Sequence, residues 1–157
     1  MMKSKILKHA FLLSAVLFLS TSCLKDCYEN YTPPPQVYFK IVDADDGTNL
    51  LNNQTYSADS LRLYYANGTN LVFLDIFVYN YYNENIFNAS GMSAVTLNNS
   101  AGQTFYLKLN AQDTDTIFVK IAAQTEECST YHILEELKIN GKTPEIDLSD
   151  RTFLIKK

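Results

Sequence analysis

Three groups of residues in this chain carry chemistry worth weighing: a lone histidine, clustered carboxylates and a run of tyrosines with asparagines. Beyond position 9 the only histidine is His132. A nucleophilic triad or an imidazole-ligated metal would have to use that residue. It lies in the alternating stretch "TYHILEELKIN" with no motif around it, so a structural role is expected. No G-x-S-x-G, P-loop, H-E-x-x-H or G-x-G-x-x-G motif occurs. Asp43, Asp45 and Asp46 bring carboxylate oxygens close together, as calcium requires. The twelfth position from Asp43 is Gln54 rather than glutamate, and Asp46-Gly47 is an ordinary turn signal. Asp113 and Asp115 precede a strand-like run and read as a loop. The expectation is therefore no enzyme, no cofactor and no metal ion.

The stretch "YNYYNENIFN" (79–88) is the best candidate for a binding surface. Tyr79, Tyr81, Tyr82 and Phe87 stand among asparagines. Aromatic faces stack on sugars or partner side chains, and amides offer paired donors and acceptors. The chain has no tryptophan, which weakens a sugar-platform reading.

The three cysteines, Cys23, Cys27 and Cys128, concern address and bracing. Residues 1–9 carry three lysines and no acid, and "AFLLSAVLFL" (10–19) is apolar apart from Ser14. A basic start, a short apolar run and the small residues "STS" describe a secretory signal over residues 1–22. Ten residues rise about 15 Å as a helix, half of a hydrocarbon core, so a permanent span is not expected. Cys23 at the cleavage point resembles a bacterial lipobox, although Ser20 stands where leucine is usual. That resemblance implies diacylation of Cys23 and a stable lipid anchor. Loss of Lys3, Lys5 and Lys8 would take the formal charge from −4 to −7. Such acidity does not suit a nucleic-acid partner or anionic lipid headgroups.

Residues 23–36 read as a lipidated N-terminus and stalk, stiffened by Pro33, Pro34 and Pro35. With Cys23 acylated, Cys27 and Cys128 are left in an oxidising compartment, where a disulfide between them is expected. It would close a loop of about 100 residues and contribute on the order of 4–5 kcal/mol in the chain-entropy model.

Residues 37–157 must position whatever site exists, and they read as strands. Period-two runs of Tyr, Phe, Val, Ile and Thr fall at 37–43, 60–65, 71–82, 92–97, 104–110, 115–124 and 130–140. Asn67-Gly68 and Asn140-Gly141 mark hairpin turns. "HILEELK" could form two helical turns, but the following Asn-Gly favours a strand. Seven to nine strands without helix alternation imply a single antiparallel β-sandwich.

"VYFKIVDADDGTNLL", "YSADSLRLYY", "NAQDTDTIFVKI" and "YHILEELKINGKT" together resemble a group of small, mostly uncharacterised Bacteroidetes lipoproteins. The resemblance implies an immunoglobulin-like or transthyretin-like sandwich and brings no catalytic residues. Lys25-Asp26 resembles a short outer-membrane export signal of that group. "Asp59-Ser60-Leu61" and "Asp115-Thr116-Ile117" resemble its O-glycosylation pattern, at Ser60 and Thr116. The expected function is a non-enzymatic interaction module held on the outer membrane, engaging either an envelope protein or an extracellular ligand. The alternative is a carbohydrate-binding accessory of a glycan-uptake system.

Overall fold

The computed structural model describes residues 30–126 and 129–157. Cys23, Cys27 and Cys128 lie outside the described residues. The larger of two sheets has the order β1 (Asn30–Tyr31), β9 (Ser129–Ile139), β8 (Thr114–Glu126), β7 (Gln103–Lys108), β3 (Arg62–Asn67) and β4 (Asn70–Leu74). The smaller has the order β10 (Ile146–Asp147), β11 (Thr152–Lys156), β2 (Tyr38–Val42), β6 (Glu84–Asn88) and β5 (Phe77–Tyr81).

Alternation explains how the sheets close on each other. Phe39 and Ile41 of β2, Phe87 of β6 and Ile155 of β11 point inward from the smaller sheet. Leu63, Phe105, Leu107, Ile117 and Val119 meet them from the larger. All are fully buried, and each contributes roughly 1.5–3 kcal/mol by leaving water. Phe39 stacks on Phe87 at 5.3 Å between ring centroids.

The architecture is all-β and rich in antiparallel pairs, with three departures from expectation. First, two pairings are parallel: β1 with β9, and β2 with β11. Neither is a local hairpin, so no turn signal announces them. Second, residues 90–97 form a helix, α1 (Ser90–Leu97), not a strand. Met92 and Thr96 are one helical turn apart and both buried, and the Thr96 hydroxyl donates to the Met92 carbonyl at 2.8 Å. α1 packs on β7 and β8. Gly102 follows at φ +86°, where a Cβ would stand 2.5 Å from the Phe118 ring, so glycine is required there. Third, the body begins earlier than residue 37. Asn30 and Tyr31 already belong to the sheet, and the Ser93 hydroxyl donates to the Pro35 carbonyl. The proline run is thus half laid against the domain.

The long run 71–82 is also divided. It leaves the larger sheet at Leu74, passes through Asp75 and Ile76, and enters the smaller sheet at Phe77. β4 and β5 are therefore edge strands on the same side of the sandwich. β1 is the opposite edge of the larger sheet, five strand spacings from β4, or about 24 Å.

Lys157 fastens the final strand. Its ammonium reaches Asp113 at 2.8 Å and the buried Asp115 at 2.6 Å. Tyr56 donates to Asp113 at 2.6 Å. Burial, and then that bond, push the Tyr56 hydroxyl up to about 12.

Candidate functional site

The outer face of the smaller sheet follows from the β5–β6 hairpin. Its two turn residues, Tyr82 and Asn83, both have positive φ, at 48° and 65°. That is the geometry of a type I′ turn, which matches strand twist. The turn pairs Tyr81 with Glu84, Tyr79 with Ile86 and Phe77 with Asn88. Phe77, Tyr79 and Tyr81 consequently share the outer face, each close to half exposed. Val78 and Phe87 share the inner face.

Tyr79 and Tyr81 line a hollow of about 470 Å³ with Tyr38, Asn80, Ile86 and Asp150. Tyr38 comes from β2, where it pairs with Asn88, and its hydroxyl donates to Gln36 at 2.7 Å. Ile86 is nearly buried beneath the rings. Tyr82 is outside the hollow at the hairpin tip, 83% exposed, with its ring edge-on to Tyr81 at 4.5 Å.

Asp150 reaches the hollow from the turn between β10 and β11. That turn is fixed by Lys40, which rises from β2 and is itself nearly buried. Its ammonium meets Asp147 at 2.8 Å and Asp150 at 2.6 Å. Burial disfavours the charged ammonium, but the hydrogen bonds to Asp147 and Asp150 outweigh it and hold the Lys40 pKa above the ordinary lysine value. The Lys40 bond, aided by Ser149, lowers Asp147 to about 2. Asp150 also accepts from the Thr152 hydroxyl at 2.6 Å.

The hairpin tip is clamped from behind by asparagines of the loop 49–53. Asn49 is buried, and its amide donates to Glu84 at 2.7 Å and to the Asn85 carbonyl at 3.0 Å. Its side-chain oxygen accepts from the backbone of Leu51 and Asn52. Asn52 donates to the Asn83 carbonyl and accepts from the Asn85 backbone, both at 2.8 Å. Both side-chain polar atoms of Asn49 are used, which makes it a positioning residue for the tyrosine hairpin. Asn49→Ala is expected to cost about 2–3 kcal/mol, because a buried amide network loses its hub. Amide exchange at residues 81–85 should speed up more than in β8. Unchanged protection of the hairpin would contradict this role.

The structure sorts the residues expected from sequence. Tyr79 and Tyr81 are together on one hollow, and Tyr82 is adjacent to it. Phe87 is a correction: it is fully buried, stacked on Phe39, and touches no ligand surface. Ser60 donates its hydroxyl to the Leu109 carbonyl at 2.7 Å. Thr116 lies within β8, with its hydroxyl and backbone N–H both directed at the Asn140 side chain. Neither hydroxyl is free in the folded chain. Asp43 and Asp46 accept backbone hydrogen bonds within their own turn, which explains their clustering. Tyr38, Phe77 and Asp150 were missed from sequence. Tyr38 had a signal, as the outward member of an alternating strand beside Phe39. Asp150 had none, because only the fold of β10 and β11 brings it there.

No protein-family model, curated protein or solved structure matches this chain.

Proposed function

We propose that this protein is a lipid-anchored, non-enzymatic binding module of the cell envelope, with the outer face of the β5–β6 hairpin as its ligand surface. One observation carries the reading: Tyr79 and Tyr81 are held half exposed on a hairpin clamped by Asn49 and Asn52. Ordering such rings in advance reduces the entropy lost on binding. The tether supports it as well. The chain enters the described residues at β1, and the β4–β5 side is the far edge of the sandwich. Two sheets closed over one core support an immunoglobulin-like or transthyretin-like type for the domain.

A carbohydrate-binding accessory role is the second reading. It is favoured by the half-exposed tyrosine rings of the hollow, whose faces suit the face of a sugar.

Two measurements test the proposal. Cys23→Ala should move the protein from the membrane to the soluble fraction; retention on membranes would remove the anchor. Arrays of glycans and of envelope-derived peptides should show binding that Tyr79→Ala/Tyr81→Ala weakens at least tenfold, by roughly 1.4 kcal/mol or more. Binding indifferent to the double change would remove the site.

A further inference from the structure

The charges around the hairpin hollow select the sign of its ligand. Among the described residues Asp150 is the one charged residue lining it, beside Tyr38, Tyr79, Asn80, Tyr81 and Ile86. Glu84, opposite Tyr81 on the neighbouring strand, lines the adjacent hollow, where its carboxylate accepts from Asn49 and Asn52. Asp147 joins Asp150 on Lys40, so two carboxylates there face one ammonium. Lys40 is spent on that pairing and is nearly buried. The next cation on this face, Lys156, lines the adjacent hollow and is paired with Glu145 at 2.6 Å. Arg151 follows Asp150 in the chain and is not among the lining residues. Among the described residues the hollow thus combines three tyrosine rings with one lining carboxylate and no lining cation. The neighbouring Tyr82 and then burial raise the pKa of the Tyr81 hydroxyl, and the Asp150 charge adds to them.

We infer that this hollow takes an organic cation, the guanidinium or ammonium of a basic side chain on a protein partner, seated between Tyr38, Tyr79 and Tyr81 with Asp150 as its counter-charge. The inference rests on the hairpin face being the ligand surface, as proposed above, and adds the ligand's chemistry. Ring faces are the negative pole of an aromatic quadrupole, so a cation gains from each ring it covers. Asp150 is nearly buried, so salt screens it less than it would an exposed carboxylate. An anionic ligand would meet only repulsion. A neutral sugar would use the rings and leave the Asp150 charge unanswered.

The experiment follows the ring resonances of Tyr79 and Tyr81 by NMR in the mature protein. Four probes are compared at equal ionic strength: an arginine tripeptide, tetramethylammonium, an aspartate tripeptide and maltotriose. The arginine tripeptide should shift both rings saturably, and more tightly than tetramethylammonium. Tyr79→Ala and Tyr81→Ala should each weaken it roughly twofold to fivefold, the size of one exposed cation–π contact. Tyr79→Phe should retain it, since the ring face and not the hydroxyl is used. Raising the salt concentration should weaken it. Several outcomes overturn the inference. Shifts with maltotriose alone would leave the hairpin face as a ligand surface and remove the cation. Tetramethylammonium binding more tightly than the peptide would remove the protein partner. No shift with any probe, or shifts that survive both alanine changes, would remove the inference altogether.

Discussion

Lys40→Ala should lower the stability of the domain by about 3–5 kcal/mol at neutral pH, the usual cost of breaking a buried ion pair from one side. The reason is what the substitution leaves behind. Asp150 has a side chain only 6% exposed and would lose the ammonium 2.6 Å away. Asp147 is 31% exposed and can rehydrate, so the lower half of that range is expected. The change also frees the turn that carries Asp150 into the tyrosine hollow, so binding should fall together with stability. The pH dependence gives an independent check. The Asp147 pKa is held at about 2, below the ordinary carboxylate value. Its contribution is therefore complete above about pH 4 and is lost as the pH falls toward 2. The Lys40 pKa is raised, so its contribution is complete at neutral pH and is lost only as strongly alkaline conditions deprotonate it. In urea titrations the wild type should lose stability between pH 7 and pH 3. Lys40→Ala should lose less over that interval, because its Asp147 titrates closer to the ordinary value. A variant within about 1 kcal/mol of wild type at pH 7, with the same acid slope, would show that the triad is idle.

The strand content was legible because burial alternates along each run. "HILEELK" shows the limit of that signal. Its apolar residues fit a helical face as well as a strand, and the turn decided it: Asn140 and Gly141 both take positive φ and return the chain to Lys142. The helix at 90–97 was lost for the opposite reason. Val95 and Thr96 favour strands locally, and only the packing of Met92 and Thr96 against the core selects the helix. The break at Asp75 did leave a mark, since that residue interrupts the apolar face of the run 71–82.

The candidate site was half legible. The tyrosines stood out by type, but their direction depended on the turn. With Tyr82 and Asn83 as a two-residue turn, Tyr81 pairs with Glu84, and alternation then places Phe87 opposite Val78 on the inner face. Phe87 was separable from the surface group on that count alone. Asp150 and Tyr38 meet the hairpin through the order β10-β11-β2-β6-β5. That order depends on the parallel pairing of β2 with β11, more than a hundred residues apart in sequence. Such pairings are selected by the closed core and leave no trace in either strand.

Disulfide bonding of Cys27 to Cys128 is the other prediction of large effect, and it rests on where the two cysteines stand in sequence beside the β1–β9 pair. β1 pairs with β9 in parallel, with Asn30 opposite Ser129. Cys128 is one residue from Ser129, and Cys27 is three from Asn30. In the chain-entropy model, closing a loop of about 100 residues stabilises the fold by about 4–5 kcal/mol. Reduction, Cys27→Ser and Cys128→Ser should each remove that amount, and the double substitution should remove no more than either single one. Intact mass should rise by two hydrogens on reduction of the mature protein. Two titratable thiols in protein kept oxidised would refute the bond. The mechanical consequence concerns the anchor. β1 is two residues long and lies on the sheet edge opposite β4, so the proposed anchor at Cys23 would load an end held by few hydrogen bonds. A covalent link to Cys128 would transmit the pull of the anchor into β9 and β8, the longest pair in the larger sheet. The tyrosine hairpin, on the far edge, would keep its shape under that load.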